Sequence, residues 1–99
     1  MTVNIQFIKS ETNTYLEEMV TKHLDKLSQK YEWIIRAEVF FKKEKGTYGK
    51  GKICEIQLSI PGKDIFASSD ETSFEAAIAE TVQDLERQLK VRKQVMYNR

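Results

Sequence analysis

The chain has 99 residues, 40% of them apolar and 31% charged, with a formal net charge of +1. This is the composition of one globular domain with one core, burying about 60–65% of the surface its unfolded chain would expose. A single cysteine cannot form an internal disulfide, and one histidine leaves little material for a transition-metal site. No apolar run is long enough for a signal-peptide core or a membrane span, so a monomeric cytoplasmic protein without a cofactor is expected.

Val3, Ile5 and Phe7 alternate with Asn4 and Gln6, the period of a strand. Thr14 and Glu17 have capping-box spacing, which places the start of a helix at Thr14. Leu16, Met19, Val20, His23, Leu24, Leu27 and Tyr31 then fall on one helical face, and the helix ends near Tyr31. Ile34 to Phe41 is rich in β-branched and aromatic residues and reads as a second strand. Glu44 to Lys52 holds three glycines and reads as a loose hairpin connection. Ile53 to Ile60 alternates again, with Cys54, Ile56, Leu58 and Ile60 on one side. Pro61-Gly62 suits the centre of a type II turn, and a short strand from Asp64 to Ser68 follows. The final helix starts near Thr72 or Ser73, with Phe74, Ala77, Ile78, Thr81, Val82, Leu85 and Leu89 as its apolar stripe.

The order β-α-β-β-β-α predicts an α+β fold. The first β-α-β unit makes two strands parallel through a right-handed crossover. The shorter later connections make the remaining strands antiparallel, and two helices pack on one face of a four-stranded mixed sheet.

Charge is distributed unevenly. Arg87 to Arg99 carry five basic side chains and no acid, whereas the first 86 residues carry eleven basic and fifteen acidic ones. Cations near a helix C-terminus suit its dipole, worth about 0.3–1 kcal/mol each, but that accounts for one or two of them rather than five. A concentrated positive field attracts phosphate. At about 100° per residue, Lys22, Lys26 and Lys30 form one stripe flanking the apolar face of the first helix. On the last helix Arg87 and Lys90 point away from the sheet. Arg92 continues the angular position of Leu85 and Leu89, which suggests an overhang that presents Arg92 and Lys93 beside Lys90. The hairpin adds Lys42, Lys43, Lys45, Lys50 and Lys52, with Tyr48 available to stack on a base. Each cluster alone is also what a solvated face looks like. Together they favour nucleic-acid binding.

The remaining residues read as structure. His23, on an apolar helix face, has the position of a packed histidine. Cys54 reads as inert core, and Tyr31 and Trp33 close the end of the first helix. Phe40 and Phe41 point to opposite sheet faces. There is no phosphate-cradling glycine motif, nucleophile elbow or histidine pair to carry catalysis.

Several stretches resemble the ribosome hibernation promoting factor family, also called ribosome-associated inhibitor or sigma factor modulation protein. They are Ser59-Ile60-Pro61-Gly62, Ile65-Phe66-Ala67-Ser68, Phe74-Glu75-Ala76-Ala77-Ile78, Leu85-Glu86-Arg87-Gln88-Leu89, and Val20 through Leu27 ending Asp25-Lys26-Leu27. The resemblance spans essentially the whole chain. It implies a stationary-phase or stress factor that binds rRNA of the small ribosomal subunit in the mRNA and tRNA channel of the assembled ribosome. Basic residues of both helices make the contacts, and translation is inhibited by occupancy. Arg87, Lys90 and Lys93 fall on the family's basic positions, and Lys26 matches in the first helix. His23 stands where a basic residue is frequent, Val91 and Arg92 exchange the usual characters, and Ala79 replaces the usual Asp. The resemblance is to the short members, in which ribosome pairing would need another factor or ribosomal contacts. A double-stranded RNA-binding module is the alternative, although such modules usually lack a strand like Val3 to Phe7. A small α+β hydrolase is a third, supported by fold analogy alone.

Overall fold

Period-two alternation builds a sheet, and helical periodicity builds the two helices that cover it. The computed structural model describes residues 1–97, so Arg99 of the basic tail lies outside the described residues. Its elements are β1 (Thr2–Ile8), α1 (Thr14–Lys30), β2 (Arg36–Lys43), β3 (Lys52–Ile60), β4 (Lys63–Glu71) and α2 (Phe74–Tyr97). The sheet order is β1-β2-β3-β4. β1 runs parallel to β2 from the pair Thr2↔Arg36, and the other two pairings are antiparallel. This is the expected α+β arrangement of two helices and a four-stranded mixed sheet.

β2 runs Arg36–Lys43 where the sequence reading had Ile34 to Phe41, and the start of α1 and the end of β4 also differ, each for a local reason. Asn13, not Thr14, caps α1. Its Oδ1 accepts from the Leu16 amide at 3.2 Å, which leaves Thr14 as the first helical residue. Of the two caps the sequence offers for α2, Ser73 is the one used, accepting from the Ala76 amide at 3.1 Å. β4 continues to Glu71 because Asp70 and Glu71 still pair with Ile53 and Lys52, although Ser68, Ser69 and Asp70 carry no apolar signal. The hairpin connection is also tighter than a loose loop. The Glu44 amide donates to the Gly51 carbonyl and the Gly51 amide to Asp70 Oδ1. A Cβ at Gly46 would lie 2.3 Å from the Lys50 carbonyl oxygen, so only glycine admits this crossing.

Alternation sends Ala37, Val39 and Phe41 of β2 and Cys54, Ile56, Leu58 and Ile60 of β3 towards the helices, where all are buried. Leu16, Val20, Leu24, Leu27 and Tyr31 of α1 and its C-cap, and Ala77, Ile78, Thr81, Leu85 and Leu89 of α2, close the core from above. Phe41 sits at its centre, stacked on Phe7 at 5.0 Å and edge-on to Phe74 at 5.6 Å. Thr81, the one buried polar residue among those described, donates to the Cys54 carbonyl at 3.1 Å. Burial pushes the Cys54 thiol up to about 12, which agrees with inert packing.

The opposite sheet face is bare. It carries Glu38, Glu55, Asp64 and Asp70 against only Arg36 and Lys42, with Phe40 and Phe66 between them.

The strand directions set the helix directions. β4 runs parallel to β2 and β1, and each helix returns antiparallel to the strand before it, so α1 and α2 point the same way. Both C-terminal ends therefore lie at the end of the sheet that carries the Pro61-Gly62 turn.

Asn13→Ala is expected to cost about 1 kcal/mol in chemical denaturation, the usual cost of losing a cap, and Thr14→Ala distinctly less. Equal costs would show that Thr14 caps the helix after all.

Candidate nucleic-acid interface

Parallel helices bring together the two ends that the sequence made basic. Lys30 Nζ lies 3.5 Å from Glu86 Oε2, a link between the last turn of α1 and the middle of α2. Two turns further along α2, Lys93 Nζ lies 5.8 Å from the centroid of the Tyr31 ring, and Lys30 Nζ lies at the same distance from that ring. Tyr31 is fully buried as the C-cap of α1, with Trp33 edge-on at 5.7 Å. Burial first, and then the Glu86 carboxylate, push its phenol above the ordinary value of 10.0, so it stays neutral beneath the two ammonium groups. An aromatic face between two cations offsets part of their repulsion.

Lys22 and Lys26 continue this surface along α1, and both are exposed. They line a shallow groove of mixed charge with Tyr15, Glu18, Met19, His23 and Asp25. His23 is only half-buried and sits on the shoulder of the apolar stripe, not at its centre. The centre runs through Val20, Leu24 and Leu27, which corrects the reading of His23 as a packed core histidine. Burial and then the neighbouring Lys26 charge lower its pKa from the ordinary 6.5.

The structure divides the basic end of α2. At about 100° per residue, Glu86, Lys90 and Lys93 face the α1 side, while Arg87 turns away from it. Arg87 pairs weakly with Asp84 at 3.9 Å. Arg92 does not overhang beside Lys90 as the sequence suggested. Its Nη2 donates to the Pro61 carbonyl at 3.4 Å, and its guanidinium packs over Gly62, whose φ of +84° suits the turn. The helix stays regular to Tyr97, so the apolar stripe is continued by the stem of Arg92 and its charge ends on the β3–β4 turn.

Lys42 is not part of the helix surface. It projects from the bare sheet face and pairs with Glu55 at 2.9 Å. Lys50 is likewise engaged, with Glu71 at 3.5 Å, at the sheet end remote from the helix C-termini. The fully exposed Tyr48 stays at that far end too. The sequence reading missed Glu86 and Tyr31, which organise the cluster. Glu86 follows Leu85 in the helical wheel and so had a flank position, but only the helix pairing shows what faces it.

The fold presents cations on two parallel helix ends. The chain belongs to the family described as Sigma 54 modulation protein / S30EA ribosomal protein, whose model it matches over residues 3–96. That is a family of ribosome-associated proteins and not an enzyme family. Among solved structures, the chain is similar to a ribosomal subunit interface protein from Coxiella burnetii, with a TM-score of 0.81 and 20% identity over 94% of this chain and 98% of that one. It is also similar to the N-terminal domain of Protein Y from Thermus thermophilus, with a TM-score of 0.73 and 26% identity over 90% and 92% of the two chains. The Coxiella likeness carries the fold alone. No curated protein matches the chain. No helix among the described residues is long and apolar enough to cross a membrane. Nor does any group of three or more His, Cys, Asp or Glu side chains among them suit a metal ion.

His23 gives a pH test. Its folded-state pKa lies below the unfolded value, so the unfolded chain protonates first as pH falls through 6.5, and the domain loses stability in that window. An NMR titration is expected to show a pKa below 6.5 in the free protein. Added RNA, which favours the imidazolium, should raise it. A free-protein pKa at or above 6.5 would contradict the burial seen here.

Proposed function

We propose that this protein binds the small ribosomal subunit, in the channel used by mRNA and tRNA, and inhibits translation by occupying it. The observation that carries this reading is the convergence of Lys30 and Lys93 on Tyr31, with Lys22, Lys26 and Lys90 extending the same surface. Five ammonium groups over two parallel helix ends can follow a phosphate backbone without reading its sequence. Lysine ammonium is a compact point charge, suited to phosphate oxygens in varied geometry. The bare sheet face, with four carboxylates against two cations, repels the same backbone. RNA therefore approaches from the helix side. Membership of a ribosome-associated family supports ribosomal RNA as that anion. A cytoplasmic protein acting in stationary phase or stress, without chemistry on a substrate, follows from that reading.

The test is sedimentation with purified ribosomes and separated subunits through a cushion at low and high salt. Co-sedimentation with the small subunit is expected at low salt and should fall steeply as salt rises, with a log–log slope of about −0.7 to −0.9 per phosphate contacted. Failure to co-sediment at low salt would sink the reading. Reversing Lys26, Lys90 and Lys93 to Glu should abolish co-sedimentation and leave the circular dichroism spectrum unchanged. Comparable affinity for naked duplex RNA and for ribosomes would favour the duplex-RNA module instead.

A further inference from the structure

The cations that the helix-pair surface leaves out are gathered elsewhere. Arg87 and Arg92 line a groove of about 380 Å³ between the C-terminal half of α2 and the start of β4. Lys63 closes its third side, and its apolar lining is Ile65, Val91 and Val95. No acid lines it among the described residues, and the one carboxylate near its rim, Asp84, is 3.9 Å from Arg87. Val91 is 62% and Val95 48% exposed, so two aliphatic side chains face water on the stretch of helix that carries Arg87, Lys90, Arg92 and Lys93. Arg92 is held by the Pro61 carbonyl, yet its Nε is shielded from water and has no hydrogen-bond partner among the described residues. A buried guanidinium donor without a partner is costly. The groove thus offers three positive charges and an apolar wall.

We infer that this groove binds one unpaired nucleotide of RNA, its phosphate on Lys63, Arg87 and Arg92 and its base and ribose against Val91, Val95 and the guanidinium plane. The charge favours phosphate, and planar guanidinium forks pair bidentately with phosphate oxygens. An unstacked base also finds an arginine plane a suitable stacking partner. The groove lies on the opposite flank of α2 from Lys90 and Lys93. A strand whose phosphates rest on those lysines can cross the helix and drop one nucleotide over its far side. A duplex cannot, because its bases are paired and stacked. Gln88 sits between the two flanks of this groove and is already committed, donating to the Phe66 carbonyl at 2.9 Å. The inference rests on RNA being the partner and adds a second, single-strand-selective contact that the helix-pair surface does not supply.

The experiment titrates isotopically labelled protein with AMP, inorganic phosphate and a hexaglutamate peptide. It then measures affinity for hexauridylate and for a short RNA duplex by fluorescence anisotropy. AMP is expected to shift the amides of Ile65, Val91, Arg92 and Val95 more than inorganic phosphate does. The double substitution Val91→Ser with Val95→Ser changes no charge and touches no core residue. It should weaken hexauridylate roughly tenfold, the order of losing one base contact, and leave duplex affinity unchanged. Lys90→Gln with Lys93→Gln should weaken both. Absence of AMP shifts in the groove would overturn the inference, as would an equal loss for single strand and duplex. Shifts from hexaglutamate as large as those from AMP would make the groove a site for acidic peptides instead. Failure of the ribosome sedimentation test with AMP shifts intact would overturn the ribosomal reading and leave the groove standing.

Discussion

The parallel pairing of β1 with β2 is the constraint on which the rest of this domain depends. Parallel neighbours need a crossover, and α1 is that crossover. The two antiparallel hairpins that follow return β4 to the direction of β1, so α2 must leave the sheet the way α1 did. Had one more strand intervened, the helices would run oppositely and their basic ends would lie at opposite poles. Parallel packing instead sets two partial negative charges side by side, one from each helix C-terminus. Lys30, in the last turn of α1, answers that field; Lys93 stands a turn short of Tyr97, and Tyr31 and Glu86 bring the two lysines together.

Charge is sorted by face as well as by end. The sheet side that the helices leave bare is dominated by carboxylates, several of them tied to neighbours. Arg36 pairs with Glu38 at 3.3 Å, Lys42 with Glu55 at 2.9 Å, and Gln57 donates to Asp64 at 2.9 Å. These exposed pairs add little stability. Their effect is to spend the sheet's own cations locally, while the helices sort charge along their length, with Glu17, Glu18, Glu75, Glu80 and Asp84 towards their N-terminal ends and Lys26, Lys30, Arg87, Lys90, Arg92 and Lys93 towards their C-terminal ends. A net charge of only +1 thereby hides a strongly polarised molecule.

Alternation and helical periodicity made the element order, the sheet and both apolar stripes legible from the residues alone. The buried sets on α1 and α2 are nearly those the spacing picks out, with Met19, His23, Phe74 and Val82 on the shoulders. What the sequence could not show is where a flank position points once two helices meet. Lys42 looked like a companion of the helix lysines because charge has no direction in a linear string. Strand alternation places it on the opposite face, where Glu55 takes it up. Arg92 looked like an overhang because a charge on a core stripe seemed unable to be satisfied. The Pro61 carbonyl lies just where the sheet ends, and only the β3–β4 register brings it there. Lys63 joined no predicted cluster for the same reason. Caps slipped by one residue because Asn13 and Thr14 are both competent, and backbone geometry alone selects between them.

The two edges of the sheet are guarded unequally. β4 carries Lys63, Asp64, Asp70 and Glu71, and Gln88 reaches down from α2 to occupy the Phe66 carbonyl. β1 carries no charged residue from Thr2 to Ile8 and has no side chain closing its outer edge among the bonds described. A sheet open at both edges can add copies without limit and grow into a fibre. One that is open at a single edge can be extended only once. Two copies meeting along β1 would close a two-fold axis and present guarded strands on both outer sides. The charges on β4 thus work against edge-to-edge growth from that side and leave β1 as the plainer strand of the two.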